Sequence, residues 1–464
     1  MTLVALSAYD LSQAYVTFTQ FHSRYTPFFT TTTRSVSESA QRYLQGQLIT
    51  SQRNNLFQYC REVPACEYQA MQYFISESPW REKALLDQLR QDVCTCLGDP
   101  VEGALLLDES GIPKQGRMSV GVQRQYCGSL GKVGNCQVGV YLAYSNPTHS
   151  TLVDRRLYLP ASWIEDEERR KKCGVPSEIT FKTKAELGLE MILSFKEQGL
   201  PFGWVGMDAH YGEQPWLLKR LNEEQICYMA DIPCTTRIFL TLPKTEIPLR
   251  KGDRGRHPTK ERLVEGEPSP VEVRAFGKSL SSSDWTRLRI RETERGELVA
   301  EFAAVRVWHS VDNLPFQEVW LVMRRDLETS EIRFSFSNAP SDTPLERLAH
   351  MQSRRYWVER ALENAKGEAH LDQYEVRGWR GWHHHMTMTL LAMLFLLELT
   401  LQMKEKAPML TIQDAREILE KFLPRKVYSP EEFMALLEQK HKARLSARNS
   451  HAKKQKKWLQ SLKI

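Results

Sequence analysis

No two of the nine cysteines in this 464-residue chain form a CxxC pair. That spacing marks many zinc sites, so its absence argues against a zinc-bound module. The cysteines are also odd in number and scattered from Cys60 to Cys234. In a chain of this length, that argues against a disulfide framework and for a reducing compartment, here read as the cytoplasm. The N-terminus, MTLVALSAYDLSQAYVTF, has neither a charged leading segment nor an unbroken apolar core, so no signal peptide is expected. The phosphate-loop pattern GxxxxGK[ST] is missing. GKVG (131–134) lacks it and reads as a hairpin turn. No internal repeat is visible. One segment, MTMTLLAMLFLLELTLQM (386–403), approaches membrane-span length. Glu398 and three threonines interrupt it and no second span exists, so it is expected as a buried core helix and no membrane partner is expected.

What is present is the composition of a globular chain long enough for several domains, 41% hydrophobic and 10% aromatic. The net charge of +6 is modest, but nine Lys or Arg and no acid lie between Lys440 and Lys463. Such a block suits a polyanion such as nucleic acid, or is simply a solvated tail.

Element signals change along the chain. Residues 1–97 read as a helical domain, with SPWREKALLDQLRQDV (78–93) opening on Ser78 as N-cap and Pro79 at the first helical position. LGDPVEG (97–103) reads as its exit linker. From 98 to 236, strand-like runs such as ALLLD (104–108), CQVGVYLAY (136–144), FGWVGMD (202–208) and ICYMADI (226–232) alternate with helical KAELGLEMILSFKEQG (184–199) and PWLLKRLNEEQ (215–225). This predicts an α/β sheet covered by helices. Residues 237–342 hold several β-like runs around the Gly- and charge-rich loop 249–262 and read as a β-rich insertion. A long helix is expected from near Pro344 through RRYWVERALENAKGEAHLDQYEVRGW (354–379), with closing helices to 404. Residues 405–464 read as a helical basic region.

Two acids, Asp108 and Asp208, stand where apolar runs end, each followed within four residues by a glycine, Gly111 and Gly212. Open α/β sheets bind ligands outside the carboxyl ends of their strands. Asp residues at such ends are also common turn formers. Glu359 lies on the late helix, with Arg355 one turn before it and Lys366 two turns after it on the same face. By itself that face suits ordinary ion pairing. Together, three carboxylates from separate elements suit two divalent cations, Mg²⁺ or Mn²⁺, in phosphoryl transfer, with Arg355 and Lys366 on substrate phosphates. Lys114, Arg117 and Arg124 follow the first acid as candidate DNA-phosphate contacts, or as exposed strand-edge charges. His383, His384 and His385 are consecutive and cannot share a helix face as metal ligands do, so no metal is assigned to them. His210 is expected in a loop, and Trp379 and Trp382 in the core.

Three long stretches carry a resemblance: LLLDESGIPKQGRMSVGVQRQYCGSLGKVGNCQVGVYLAYS (105–145), GWVGMDAHYG (203–212) and RRYWVERALENAKGEAHLDQYEVRGWRGW (354–382). With the weaker FISESPW (74–80), they resemble the DDE transposases of bacterial insertion sequences, whose catalytic core is RNase H-like. The resemblance implies an RNase H-like mixed sheet interrupted by the β-rich insertion. It implies a helical N-terminal DNA-binding domain and metal-dependent cleavage and strand transfer. The substrates would be the terminal inverted repeats and target DNA, handled by a synaptic homodimer in a nucleoid-associated setting. It implies Asp108, Asp208 and Glu359 as metal ligands, with Glu109 as the alternative to Asp108. The cut-and-paste group has a Tyr-Arg-Glu-Lys signature. Arg355, Glu359 and Lys366 fit its spacing and select Glu359 over Glu363. Its tyrosine position falls on Gln352, a departure at the position the family uses for hairpin-ended DNA.

Overall fold

A computed structural model describes residues 4–51, 53–249, 257–293 and 296–461. Most of the glycine-rich loop (250–256) and Lys463 of the basic tail lie outside the described residues.

The first 97 residues are helical: α1 (Ala8–Ser12), α2 (Ala14–Tyr25), α3 (Ser37–Ile49), α4 (Leu56–Glu62), α5 (Tyr68–Ser76) and α6 (Glu82–Leu97). Helix α6 buries Leu85, Leu86, Leu89 and Val93, the stripe expected from their spacing. It starts at Glu82, later than Ser78 and Pro79 suggested. Trp80 explains the delay. Its ring is buried between Phe29, Phe74 and His384, and the Arg81 N–H donates to the Phe28 carbonyl, so residues 78–81 are spent on anchoring the chain.

Strands β1 (Ala104–Pro113), β2 (Gln123–Cys127), β3 (Lys132–Ser145) and β4 (Ser150–Leu157) follow. Short helices α7 (Ala161–Ile164) and α8 (Glu167–Lys172) and the longer α9 (Lys184–Glu197) lead to β5 (Trp204–Met207). Thr183 closes a capping box on α9, and Gly199 takes φ +67° past its end, where a left-handed residue ends the helix. Next come α10 (Ala209–Gly212), α11 (Pro215–Glu223), β6 (Tyr228–Ile232) and β7 (Arg237–Phe239). The expected β-rich segment holds β8 (Thr245–Glu246), β9 (Arg262–Leu263), β10 (Val271–Glu272), α12 (Val273–Ser279), β11 (Thr286–Thr293), β12 (Gly296–Val311), β13 (Leu314–Arg325) and β14 (Ile332–Ser337).

Twelve of these strands form one mixed sheet, ordered β10-β7-β12-β13-β14-β6-β5-β1-β3-β2, with β11 on β12 and β4 on β3. The β-rich segment joins the rest of the sheet by main-chain pairing of β14 with β6, Ser335 opposite Asp231. Only β1–β5 and β5–β6 pair in parallel. Strand β1 is therefore the switch point, with antiparallel β3 on one side and parallel β5 on the other.

The long helix expected from Pro344 is two helices, α13 (Leu345–Ser353) and α14 (Tyr356–Gly367), with a turn at Arg354 and Arg355. No Pro or Gly breaks it. The two arginines are drawn to different partners: Arg354 is buried and bonds Glu102, and Arg355 bonds Asp231. The remaining helices are α15 (Trp379–Met403), α16 (Ile412–Phe422) and α17 (Pro430–Ser461). Helix α15 is long and apolar enough to cross a membrane, yet 83% of its apolar window is buried inside this fold, against β4 and the N-terminal helices. Its consecutive histidines serve that packing. His384 stacks on Trp80 and bonds the Ile75 carbonyl, and His385 meets the Tyr43 hydroxyl at 2.7 Å. Trp382 is buried too. Helix α17 buries none of its described residues.

Candidate active site

The parallel register sets the first two acids. The last β1–β5 pair is Leu107 with Met207, so Asp108 and Asp208 each stand one residue beyond it, side by side. The last β5–β6 pair is Met207 with Ala230, which brings Asp231 to the same level on β6. Three aspartates thus stand in a row on three neighbouring parallel strands, at the end where such sheets bind ligands. Asp231 was missed in the sequence, although ICYMADI shows the same apolar run with an acid as ALLLD and FGWVGMD.

Asp208 turns the chain sharply. Its Oδ1 accepts the N–H groups of His210 (3.0 Å) and Tyr211 (3.4 Å), capping the single turn α10. Four residues on, a Cβ at Gly212 would collide with the Asp231 carbonyl, so only glycine lets this turn pack on β6. His210 is exposed beside it.

Asp108 and Glu109 have different surroundings. Glu109 is fully engaged, in an ion pair with Lys184 and accepting the Tyr211 hydroxyl at 2.8 Å. Asp108 accepts the Glu109 N–H at 2.7 Å and makes no ion pair among the described residues. Burial, and then the neighbouring Asp208 charge, push its pKa up to about 7. Burial and the Glu109 charge raise that of Asp208 as well. Two carboxylates held together with too little positive charge to stabilise their ionised forms fit a divalent cation, which takes hard oxygen ligands. Among the described residues, no group of three His, Cys, Asp or Glu side chains is gathered tightly enough to hold a metal ion.

Glu359 is engaged with an arginine. It sits in the first turn of α14, its side chain 50% exposed, and its Oε1 accepts Arg355 Nη2 at 2.7 Å. Arg355 also contacts Asp231 Oδ2 through Nε at 3.2 Å. Behind that pair, Gln352 Nε2 donates to Ser335 Oγ (2.8 Å), which donates to Asp231 Oδ1 (2.6 Å). A chain of hydrogen bonds and ion pairs therefore runs Gln352–Ser335–Asp231–Arg355–Glu359, buried at Gln352 and open at Glu359, and holds a guanidinium whose charge acts on Asp231, Glu359, Asp108 and Asp208. Nothing local in the sequence announced it, because Ser335 and Asp231 meet only through strand register.

The other candidates lie further out. Lys366 is half-buried in the last turn of α14. Lys114 is half-buried, its Nζ 3.4 Å from the centre of the Tyr374 ring. Arg117 and Arg124 are exposed, and the Arg117 carbonyl accepts Arg169.

Residues 24–297 match the family described as DDE superfamily endonuclease. The matched stretch holds Asp108, Asp208 and Asp231 and ends before Glu359. The chain is also 26% identical, over 343 residues, to a probable transposase for insertion sequence element IS701 from Microchaete diplosiphon, covering 72% of this chain and 75% of that relative.

Proposed function

The chain belongs to the DDE superfamily endonuclease family, and on that premise we propose that it is a transposase that cuts DNA at the ends of an insertion sequence and joins them to a target. The observation that carries this is the pair Asp108 and Asp208, one residue past the last parallel pair, with the Arg355 charge acting on both and its guanidinium bonded to Glu359. The strand order β4-β3-β1-β5-β6, antiparallel then parallel about β1, supports an RNase H-like core.

Asp108, Asp208 and Glu359 would hold two divalent cations, Mg²⁺ or Mn²⁺, which when bound supply Lewis-acid activation of the attacking oxygen and stabilise the leaving one. Asp108 is favoured over Glu109 because both oxygens of Glu109 are already taken. Glu359 Oε2 takes no hydrogen bond among the described residues, which leaves an oxygen available to join the aspartates. Arg355, fixed by Asp231, holds phosphate charge beside them. In the first step water attacks the phosphodiester, the P–O3′ bond breaks, and a 3′-hydroxyl and a 5′-phosphate result. In the second, that 3′-hydroxyl attacks a target phosphodiester and displaces its 3′-oxygen. Position 352, tyrosine in the resembled signature, is here a buried Gln that braces Asp231 through Ser335, so the hairpin role of that position is not carried by its side chain. Lys366, Arg117, Arg124 and the cationic face of α17 would contact DNA phosphates, and a homodimer acting on bacterial DNA in the cytoplasm would hold two ends together.

The test is a supercoiled-plasmid reaction with Mg²⁺, carrying the DNA that flanks this protein's own coding sequence. Joined products support transposition. Linear products alone leave a nuclease that does not join, and full cleavage by Asp208→Ala overturns the site.

A further inference from the structure

Beside the acids lies a cavity of about 180 Å³ between α13–α14 and the β-rich part of the sheet. Arg291, Arg324, Arg333 and Arg355 line it, with Asp231 and Glu359 as its acids. Arg355 already bonds both of those acids. The other three make no ion pair among the described residues. Neighbouring arginines of the same sheet do: Arg287 and Arg325 with Glu301, Arg289 with Glu297, Arg306 with Glu318.

The register makes this exception costly. Arg324 on β13 lies directly opposite Arg333 on β14, and like charges facing across a strand pair destabilise it. Strand alternation puts Arg333 on the same face as Ser335, and Ser335 pairs with Asp231, so both arginines face the side that carries the acids. Burial, and then the Arg333 charge, lower the pKa of Arg324. Arg291 reaches the same cavity from β11, its guanidinium 3.4 Å from the centre of the Tyr356 ring. Four guanidiniums line the cavity against two carboxylates, with Asp326 also acting on Arg324, so positive charge is in excess there; Arg291 and Arg324 are half-buried and Arg333 is exposed. A guanidinium fork is shaped to hold a phosphate through two parallel N–H bonds.

We infer that this cavity is a phosphate clamp, in which Arg291, Arg324 and Arg333 grip a backbone phosphate of the DNA strand close to the bond being cut. The clamp rests on the proposed function, because the cavity shares Arg355 and Glu359 with the candidate active site. It gives the β-rich segment a direct part in placing the substrate.

The experiment measures binding of short duplexes tiled across the DNA flanking the coding sequence, with single neutral methylphosphonates placed one position at a time. The full chain is compared with Arg324→Gln and Arg333→Gln, and the Tm of each protein is recorded. In the unaltered chain one methylphosphonate position should weaken binding on the order of tenfold. Either variant should lose a similar factor on unmodified DNA and become insensitive to that position. Its log K against log salt slope should fall by about 0.9, one phosphate contact. Its Tm should hold or rise, since a like-charge pair has been removed. If the methylphosphonate pattern is unchanged in the variants, the inference is overturned, as it would be if a free anion were the occupant. A lower Tm in both variants overturns it too, by making the arginines supports of the sheet. If the unaltered chain binds none of the duplexes, the proposed function falls and takes the clamp with it. If it binds and cuts them while the variants behave alike, only the clamp falls.

Discussion

Two clusters of charge in this molecule, one buried and one opening to solvent, differ in whether their charges match. Where α6 crosses β4, Asp154 is 0% exposed and bonds Arg90, itself 2% exposed, while Arg156 takes its other oxygen at 2.7 Å. Arg155 pairs with Glu82, and Arg90 also reaches Asp87 at 3.4 Å. Three arginines meet three acids, and the cluster fastens the helical N-terminal region to the sheet. At the candidate site the charges are sorted: among the described residues Asp108 and Asp208 make no ion pair with a cation, and Arg291, Arg324 and Arg333 make none with an acid, although Asp231 and Asp326 act on Arg324 from further off. A matched buried cluster supports structure. A sorted one has a native state that an outside cation and an outside anion would each stabilise.

The difference can be broken from either side. The largest effect belongs to Asp208→Ala. Losing a ligand worth several kcal/mol of transition-state stabilisation should cut DNA cleavage roughly a thousandfold, while Tm moves by a few degrees at most, because the lost cap on α10 opposes the relief of Asp108 from a repelling neighbour. Asp154→Ala is the mirror image. It strips buried Arg90 of its buried partner and leaves it the more distant Asp87 at 3.4 Å, so unfolding free energy should fall by about 3 kcal/mol in a denaturant titration, with cleavage per folded molecule retained. A variant of Asp154 as stable as the parent would remove the distinction between the clusters.

Ser335→Ala tests the brace behind Arg355. Partners that hold a ligand or a charged group in place are typically worth ten- to a hundredfold, so single-turnover cleavage should drop by roughly that factor. DNA affinity should change little, and Ser335→Thr should restore part of the rate. Equal loss of affinity and rate would make the chain of hydrogen bonds merely structural. The smallest effect is expected for Glu109→Gln. It keeps the Tyr211 hydrogen bond and loses the half-buried Lys184 pair, so Tm should fall by a few degrees at most and cleavage should persist. Abolished cleavage with an unchanged Tm would hand Asp108's proposed role to Glu109.

The sequence was informative where the signal is local. Asp108 and Asp208 close apolar runs, but only Asp208 ends a strand: β1 continues to Pro113 along β3, and Asp108 marks the end of its parallel pairing with β5. The α6 core face was legible from spacing, and the buried α15 from its length and the Glu398 and threonines that interrupt it. Glu359 needed the signature spacing of a resembled family, since its helix by itself fits a solvated face. What depended on pairing across the sheet stayed hidden. Asp231 follows an apolar run like the other two, but only the β5–β6 register sets it level with Asp108 and Asp208. Arg324 and Arg333 are nine positions apart and unremarkable until the register sets them face to face. The break between α13 and α14 carries no Pro or Gly, because Asp231 and Glu102, far away in sequence, hold the two arginines at the turn. The joining of the β-rich segment to the sheet through β14 and β6 is of the same kind.

The central claim is that Asp108, Asp208 and Glu359 act together on a divalent cation. Titration of Mn²⁺ into the DNA-bound protein, with free Mn²⁺ followed by electron paramagnetic resonance, tests it apart from activity. The account predicts saturable binding that is weakened in each of Asp108→Asn, Asp208→Asn and Glu359→Gln at unchanged Tm. Binding in any of the three that equals the parent would remove that residue from the site, and equal binding in all three would contradict the account.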